Sequence, residues 1–572
     1  MTTEFNKLRN NAIGFFDKQN KSNNIVGLIE RHLKNKPDEI AFIWADPTKT
    51  IQWADEIVTN VQRQSVTFRV FHNLIQRTAA GLKKAGIKKN DRVILFLPMS
   101  LQLYQTMAAI QMLGASAVFL DSWARRDQLG ISAKIVGAAA MVSFEQAFAL
   151  CTTEPELTKI PIKVVVGPHQ GKYNASLEEI LKNEPLTEME PVEAEGTALI
   201  TFTTGSSGVP KGANRTNQFL AAQHYALNEC IPYNANDIDL PAFPIFSLNN
   251  LAAGVTTAIP ITDIGRPSEK DSVMLASQIL AFGVTCATLS PSMLAGLARY
   301  CDSKKLQLPK IRRVITGGAP ISNDVLALMK KAVPNAKIWV LYGSTEVEPI
   351  AHIEAEDILN PKHGTMLAGE GVNVGHFAEG LEHKFLKIRK DIIELKNDSW
   401  AGLEVKEGEV GELAVAGLHV CKSYYNDPES VRKTKIVESN GKVWHRTGDL
   451  AYLDKNGNVW LVGRVHNAIF RDGKALFPVK VEILMKRHPF VRQSAFLGMP
   501  DEKLGEKAYA LVQLNDEGKS KEAEIIADLK KALKKEGIPF DHAGAVEHIP
   551  MDPRHHSKVE YNVLRDALLK KG

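Results

Sequence analysis

Short runs of β-branched residues alternate with helix-type segments along most of this chain, and this alternation is the strongest constraint on its fold. From residue 60 onward, runs such as SVTF, VILFL, AVFL, KVVV, TCATLS and RRVITGG are separated by segments such as AAGLKKAGI, MAAIQML and DVLALMKKAV. Buried strands that alternate with helices are typical of parallel sheets with helices on their faces. The sequence therefore predicts an α/β fold with several layers.

The pattern changes near residue 410 and again after Gly463. GELAVAG, KVWHRTGDLAYLD and NGNVWLVG are typical of antiparallel strands, with Asn456-Gly457 as a turn. The last segment combines strand and helix patterns, among them AYALVQL and AEIIADLKKALKKEG. A chain of 572 residues is too long for one hydrophobic core. We expect a large α/β domain that includes the antiparallel region, residues 1–463, and a small, mobile α+β C-terminal domain, residues 464–572.

The composition is ordinary for a soluble globular protein. Hydrophobic residues make up 44%, charged residues 24%, and the net charge of +5 indicates no polyanionic partner. The lysine-rich stretch KSKEAEIIADLKKALKKEG favours a solvated helix face over a nucleic-acid surface. Five scattered cysteines without a C-x-x-C pair, and an N-terminus without a signal-peptide pattern, favour a reducing compartment. We expect a cytoplasmic protein with no nucleic-acid partner.

Residues 93–120 carry no charge and are numerous enough to span a bilayer. However, the run contains Pro98, Gly114 and three glutamines, and it divides into a β-rich piece, a helical piece and a second β-rich piece. This division is typical of a buried α/β layer. We therefore predict strand, helix and strand here, and no transmembrane segment.

A loop rich in glycine and hydroxyl groups, TTGSSGVPKG, follows the apolar run TALITF. Glycines let backbone N–H groups approach phosphate oxygens, hydroxyls add donors, and a lysine adds a positive charge. A Walker loop would end in G-K-[ST] and open a helix, whereas here Pro210 removes an N–H and Gly212 cannot bind a metal. We predict a phosphate-binding loop of another kind, rather than a flexible linker, formed by Thr203, Thr204, Gly205, Ser206, Ser207, Gly208 and Lys211.

This loop resembles the signature loop of the AMP-forming acyl-adenylating superfamily, which includes acyl-CoA ligases, adenylation domains and luciferases. Further segments resemble motifs of that superfamily in the same order along nearly the whole chain. They are the adenine-side turn Gly317-Gly318-Ala319-Pro320, the Y-G-x-T-E-like Tyr342-Gly343-Ser344-Thr345-Glu346, the W-x-x-T-G-D-like segment from Trp444 to Asp449, and the hinge start Gly463-Arg464.

The resemblance implies that ATP activates a carboxylic acid as an acyl adenylate and that pyrophosphate is released. Both reactants are anionic, so catalysis depends on charge neutralisation and positioning. By resemblance, Glu346 binds Mg²⁺ and Thr345 hydrogen-bonds the phosphoryl region. The nucleoside residues implied by the resemblance are Tyr342, Gly343, Gly318, Ala319 and Pro320 around the adenine, and Asp449 and Arg464 at the ribose.

In this superfamily a lysine near the chain end bridges the carboxylate and the α-phosphate. The corresponding stretch is MDPRHHSKV, in which Lys558 matches the lysine but the usual preceding glycine is missing. We interpret His555 and His556 as surface or loop-bracing residues rather than metal or acid–base groups. The hinge GRVHNAIFRDGKALFPVKVE also departs from the usual pattern, with His466, Phe470 and Lys480 in place of an acidic residue, a lysine and a glutamate.

The acceptor of the acyl group stays open at this point. The leading hypothesis is a ligase that joins a medium- or long-chain fatty acid to CoA. The superfamily's P-L-F-H reads Pro244-Ile245-Phe246-Ser247 here, and the missing histidine, together with R-H-x-x-K-[IV], resembles the olefin β-lactone synthetases. In those enzymes the hydroxyl of a β-hydroxy fatty acid replaces CoA.

Two further hypotheses are a separate carrier protein as acceptor and a nucleotide-binding regulator without catalysis. Glu346, Asp449 and Lys558 argue against the regulator. The apolar stretch 243–261 is a candidate for the acyl pocket, although a buried structural segment fits it equally well. The chain length of the acid and the oligomeric state, including a homo-oligomer, stay open.

Overall fold

The computed structural model describes residues 24–45, 61–120, 126–168, 171–204, 209–261, 269–360, 371–551 and 559–570. Gly205, Ser206, Ser207, Gly208, His555, His556 and Lys558 lie outside these ranges. Within the described residues, the strands form four sheets. The α/β fold class predicted from the alternating pattern is confirmed.

The largest sheet has nine strands in the order β17-β15-β14-β13-β12-β10-β11-β1-β2. Its central pairs, from β14 to β1, are parallel, and the pairs at both edges are antiparallel. These strands are β1 (Ile40–Ala45), β2 (Arg63–Thr67), β10 (Ile238–Pro241), β11 (Thr256–Ala258), β12 (Cys286–Leu289), β13 (Arg313–Gly317), β14 (Lys337–Ser344), β15 (Val347–Glu354) and β17 (His376–Phe377).

A second sheet has seven strands in the order β7-β6-β5-β3-β4-β8-β9, and all pairs are parallel except the final hairpin. These strands are β3 (Arg92–Phe96), β4 (Ser116–Phe119), β5 (Ala140–Phe144), β6 (Ile162–Val166), β7 (Ala175–Ser176), β8 (Thr197–Thr204) and β9 (Pro210–Thr216). The uncharged run 93–120 contributes β3, a helix over Leu101–Met112 and β4, which confirms the expected strand, helix and strand. No helix in the described ranges is long and apolar enough to cross a membrane.

The third sheet is antiparallel and follows the predicted change of pattern. Its strands are β16 (Val372–Asn373), β18 (Glu382–Leu386), β19 (Gly411–Ala416), β20 (Lys435–Val437), β21 (Val443–Leu453) and β22 (Val459–Arg464). Asn456-Gly457 lies in the turn between β21 and β22, and Gly457 has a φ of +80°, which glycine adopts at little cost.

The fourth sheet contains only strands that follow Arg464 and has its own apolar cluster, which includes Ile469, Phe496 and Leu529. Its strands are β23 (Ile469–Arg471), β24 (Lys474–Leu476), β25 (Val491–Asp501), β26 (Gly505–Leu514) and β27 (His542–Ala545). His466 lies in a short 3₁₀ turn, Val465–Asn467, immediately before this sheet.

Helices pack on these sheets through apolar faces. Several begin at a hydroxyl residue that caps the first turn: Thr67, Ser100 and Thr216 each accept an N–H from a residue three positions on. The helices are α1 (Ile25–Asn35), α2 (Phe68–Lys84), α3 (Leu101–Met112), α4 (Arg126–Val136), α5 (Glu145–Cys151), α6 (Pro155–Thr158), α7 (Leu177–Ile180), α8 (Asn217–Cys230), α9 (Pro244–Ala253), α10 (Glu269–Phe282), α11 (Pro291–Lys304), α12 (Asn323–Ala332), α13 (Ala355–Leu359), α14 (Pro428–Thr434), α15 (Pro478–Lys486), α16 (Glu522–Lys535) and α17 (Tyr561–Leu569).

Candidate functional site

The predicted phosphate loop joins two antiparallel strands rather than a strand and a helix. Thr203 on β8 pairs with Lys211 on β9, and Thr204 pairs with Pro210. The hairpin is close-packed, because a Cβ on Gly212 would lie 3.0 Å from Ile200 Cγ2. A Walker loop would lead into a helix at this point, so the geometry agrees with its exclusion. The Lys211 Nζ lies 5.7 Å from the centre of the Tyr424 ring.

Three of the predicted nucleotide residues meet although they come from three different strands. The Tyr342 hydroxyl, on β14, donates a 2.6 Å hydrogen bond to Asp449 Oδ2 on β21. The Arg464 Nε lies 2.9 Å from Asp449 Oδ1, across the β21–β22 pair. The Asp449 carboxylate raises the pKa of Arg464, and burial followed by Asp449 raises the pKa of Tyr342 well above its usual value. Both groups therefore remain donors, and the carboxylate keeps lone pairs for two more hydrogen bonds, as two ribose hydroxyls require.

The turn formed by Gly318, Ala319 and Pro320 lies beside this cluster. It follows β13, whose last residue, Gly317, is the register partner of Leu341, the neighbour of Tyr342. Gly318 has a φ of +85°, and no atom lies within 4 Å of the place where its Cβ would be. The turn thus offers open backbone next to the Tyr342 strand end, which is where an adenine edge would need it.

Glu346 is the acidic group of the phosphate side. The Tyr424 hydroxyl donates a 2.7 Å hydrogen bond to Glu346 Oε1. Burial raises the pKa of Glu346, but His445, Lys435 and the Tyr424 hydroxyl together lower it to about 2. Burial and Lys435 lower the pKa of His445 to about 3, so its ring is neutral near neutral pH. Burial lowers the pKa of Lys435 as well, but Cys421 and Glu346 oppose this fall. Because the His445 ring is neutral, we assign the positive charge beside Glu346 to Lys435.

Lys435 is 4% exposed, which is unusual for an ammonium group. Its Nζ donates to the carbonyl of Cys421 at 2.5 Å and to His445 Nδ1 at 3.1 Å, and it lies 5.2 Å from the centre of the Tyr424 ring. Lys211 and Lys435 therefore both approach the tyrosine that binds Glu346. This arrangement suits a site for a highly charged anion.

The donor set around Glu346 fits Mg²⁺ that arrives with a nucleotide. Mg²⁺ usually binds one or two carboxylates and takes its other ligands from phosphates and water. In the described part of the chain, no group of three or more His, Cys, Asp or Glu residues could hold a metal alone. Glu346 would hold the ion, and the ion would neutralise phosphate charge. The backbone of Thr345, next to Glu346, is fixed by Arg215, whose Nη2 donates a 2.8 Å hydrogen bond to the Thr345 carbonyl.

Sequence reasoning missed Tyr424, Lys435, Arg215 and Glu348 as neighbours of this site. Tyr424, Lys435 and Arg215 are each about 95% buried, while Glu348 is half-buried. Burial raises the pKa of Glu348 to about 7, and Arg215 opposes this rise. No motif marks these positions in the sequence, and a lysine or glutamate in a strand is usually solvated.

The apolar stretch 243–261 divides between two roles. Phe246 packs with Leu227, Ile315 and Leu341, so this part lies against the strand that carries Tyr342, on the face opposite the Tyr342 side chain. Leu248 and Leu251 on the same helix belong instead to the large core cluster. Ser247, which occupies the place of the superfamily's histidine, is fully buried and donates a 2.8 Å hydrogen bond to the Tyr104 hydroxyl.

Comparisons with known proteins agree with this geometry. The profile of the AMP-binding enzyme family matches residues 29–425, which is more than half of the chain. An olefin beta-lactone synthetase from Xanthomonas campestris is 28% identical over 553 residues, covering 94% of this chain and 96% of that protein. Another, from Stenotrophomonas maltophilia, is 31% identical over 433 residues, covering 74% and 76%.

A more distant relative and a solved structure also match most of the chain. 4-Coumarate–CoA ligase 3 from Oryza sativa is 24% identical over 504 residues, covering 86% of this chain and 85% of that protein. The amide bond synthetase McbA from Marinactinospora thermotolerans superposes with a TM-score of 0.74 at 22% identity, covering 95% of this chain and 99% of that one, and this likeness shows the fold. The chain therefore belongs to the AMP-binding enzyme family and is an AMP-forming ligase of the acyl-adenylating superfamily, on the branch of the olefin β-lactone synthetases and acyl-CoA synthetases.

Proposed function

We propose that this enzyme uses ATP and Mg²⁺ to activate a medium- or long-chain 3-hydroxy acid as its acyl adenylate, and that the acid's own hydroxyl then displaces AMP to close a β-lactone. The observation that carries the adenylation step is the joined cluster of Tyr342, Asp449 and Arg464 beside Glu346 and its two lysine neighbours. One face binds a nucleoside and the other an anion with its metal, as adenylation requires.

The residue roles follow from this arrangement. Asp449 and Arg464 orient the ribose, while Tyr342, Gly343 and the turn at Gly318–Pro320 border the adenine. Glu346 holds Mg²⁺, and Thr345 and Lys211, with Thr203 to Gly208, contact the phosphates. The carboxylate oxygen of the acid attacks the α-phosphorus, pyrophosphate leaves, and Lys558 bridges the two anionic reactants. Residues 464–572 act as a separate, mobile domain that carries this lysine, a proposal supported by the separate sheet and apolar cluster after Arg464.

Two observations support the intramolecular acceptor over the CoA acceptor that the motifs first suggested. Relatives named olefin beta-lactone synthetase are 28% and 31% identical, against 24% for the rice CoA ligase. Ser247 also replaces the histidine of the acyl-site motif, and its hydroxyl is used in a buried hydrogen bond. Transfer to CoA is the second candidate, because CoA ligases are among the relatives that match most of the chain.

The test is ATP–pyrophosphate exchange with fatty acids and 3-hydroxy fatty acids of several lengths. We expect exchange only when an acid is present, and Lys558→Ala should abolish it while ATP binding is retained. Mass spectrometry should then detect the 3-hydroxy acid less one water, with or without CoA. A thioester that requires CoA would favour the second candidate. ATP binding without exchange for any acid would contradict adenylation and favour a regulator.

A further inference from the structure

Two polar side chains behind the Thr345–Glu346 turn have hydrogen-bonding groups that the described residues leave unused. Arg215 is 4% exposed, and its Nη2 donates to the Thr345 carbonyl, but its buried Nε finds no partner in the described ranges. Glu348 is half-buried and receives no hydrogen bond from any described group. Buried polar groups are nearly always paired, so the unused Arg215 Nε–H, near a carboxylate that can still accept hydrogen bonds, indicates a ligand or water.

The two side chains belong to one polar patch. Each is the other's strongest electrostatic partner, yet they form no direct ion pair. Arg215 is the last residue but one of β9, the strand that carries Lys211, and Glu348 is the second residue of β15, the strand that follows Glu346. The patch therefore lies where the end of β9 that is remote from the phosphate loop meets the Thr345–Glu346 turn.

Gly343 places this patch next to the nucleotide residues. A Cβ on Gly343 would lie 3.3 Å from both Cα and Cβ of Glu348, so Glu348 packs directly on the neighbour of Tyr342. Leu341, two residues before Gly343 and on the same face of β14, packs with Leu227 and Phe246. The patch therefore lies beside the residue that follows Tyr342, on the strand face that carries an apolar cluster suited to an alkyl chain.

We propose that Arg215 and Glu348 form a subsite for the 3-hydroxyl of the acid substrate, an inference that rests on the proposed function. A hydroxyl both accepts and donates, so it can accept from the Arg215 Nε–H and donate to the Glu348 carboxyl group at the same time. The reacting carboxyl group must come close to Thr345 and Glu346, which are only two or three residues from Glu348. A hydroxyl near the carboxyl end reaches this patch, whereas one far along the chain would lie among apolar side chains.

The test compares a 3-hydroxy fatty acid with the unsubstituted acid of the same length in ATP–pyrophosphate exchange. Sites built to hydrogen-bond a substrate hydroxyl reject the analogue that lacks it, so we expect the parent to prefer the hydroxy acid by about tenfold or more in kcat/KM. Glu348→Ala should reduce this preference to about threefold or less, chiefly by lowering kcat/KM for the hydroxy acid. Glu348→Gln keeps an acceptor oxygen and should give an intermediate preference.

Binding provides a second readout. The parent should bind the 3-hydroxyacyl sulfamoyl adenosine more tightly than its unsubstituted counterpart in calorimetry, and Glu348→Ala should remove most of that difference. Glu356→Ala is the matched control, because Glu356 is exposed and pairs only with Lys330 in the described structure. It should keep the parent's preference.

The outcomes separate this inference from the proposed function. Exchange with neither acid would contradict adenylation itself. Exchange with both acids at equal kcat/KM in the parent would overturn the hydroxyl subsite and leave adenylation intact. Equal losses for both acids in Glu348→Ala and Glu348→Gln would also overturn it, since Glu348 would then only brace the turn, with water between it and Arg215.

Discussion

Two half-buried glutamates accept hydrogen bonds of nearly equal length from tyrosine hydroxyls, yet their pKa values move in opposite directions. Glu346 accepts from Tyr424 at 2.7 Å, and its pKa falls to about 2. Glu482, on α15, accepts from Tyr561 at 2.6 Å and from the Phe496 N–H at 2.9 Å, and its pKa rises to about 7.

Burial raises the pKa of both groups, so the difference comes from the charge nearby. Lys435 lies almost completely buried beside Glu346, whereas Lys486 affects Glu482 less than burial or either hydrogen bond does. A fixed cation in a poorly solvated place stabilises a carboxylate more than one tyrosine hydroxyl can. The Glu346 region is thus suited to bind a cation and phosphates, and the Glu482 region to hold α15, β25 and α17 together.

The largest effect should follow the loss of the Glu346 charge. We expect Glu346→Gln to lower ATP–pyrophosphate exchange by about a hundredfold and to raise the Mg²⁺ concentration required, because a neutral amide is a weak ligand for this ion. Glu356→Gln, at an exposed position, is the control. An unchanged Mg²⁺ requirement in Glu346→Gln would place the metal elsewhere.

Removing the Lys435 ammonium group should make the pKa of Glu346 more similar to that of Glu482. Without Lys435 the pKa of Glu346 should rise. Because a carboxylate loses its charge as the pH falls through its pKa, Glu346 should then lose its negative charge at a higher pH than in the parent. We expect Lys435→Met to lower exchange about tenfold near pH ~5, and less near pH ~8, relative to the parent. Lys433→Met, two residues away and exposed, should follow the parent's pH profile. Parallel profiles for parent and Lys435→Met would show that another group keeps Glu346 ionised.

Glu482 should affect the stability of the fold rather than catalysis. The unfolded chain releases the Glu482 proton near its ordinary pKa of 4.5, and the folded protein holds it until about 7. The folded state therefore binds more protons in this interval, and the free energy of unfolding falls as the pH rises from 4.5 to 7. Glu482→Gln keeps the acceptor oxygen and removes the titration.

The parent should lose about 2 kcal/mol of its free energy of unfolding to this titration between the acid and alkaline ends of the interval, after allowance for partial exposure. Glu482→Gln should not show this loss, so its stability relative to the parent should rise by the same amount. Urea unfolding near pH ~4.5 and ~8 measures it. Glu517→Gln, at an exposed position, should show no such gain. Equal pH dependence in Glu482→Gln and the parent would mean that the carboxyl group ionises normally.

The smallest effect should come from Tyr561, the tyrosine that donates a hydrogen bond to Glu482. Tyr561→Phe removes one donor, while Glu482 keeps the Phe496 N–H. We expect a loss of about 1 kcal/mol in the free energy of unfolding, with exchange activity changed less than in Lys435→Met. A loss several times larger would show that the hydroxyl bond, rather than packing, holds α17 in place.

Much of the fold and the nucleotide side could be predicted from the sequence. The alternation of β-branched runs and helical segments predicted parallel sheets, because burial on both faces requires such runs. The ordered motifs predicted that Tyr342, Asp449 and Arg464 belong to one site, and the structure brings them together. Their roles toward ATP remain predictions, as do those of Gly205 to Gly208 and of Lys558, which lie outside the described residues.

What the sequence by itself determined is local: the periodicity of strands and helices, the hairpin turn at Asn456-Gly457, and the order of the motifs. Only the tertiary structure decided which charges face each other. Lys435, Arg215 and Glu348 look like ordinary surface residues in the sequence, yet all three lie against the candidate site. The reason is physical: electrostatic energies depend on distance and burial in three dimensions, and residues far apart in the chain set both.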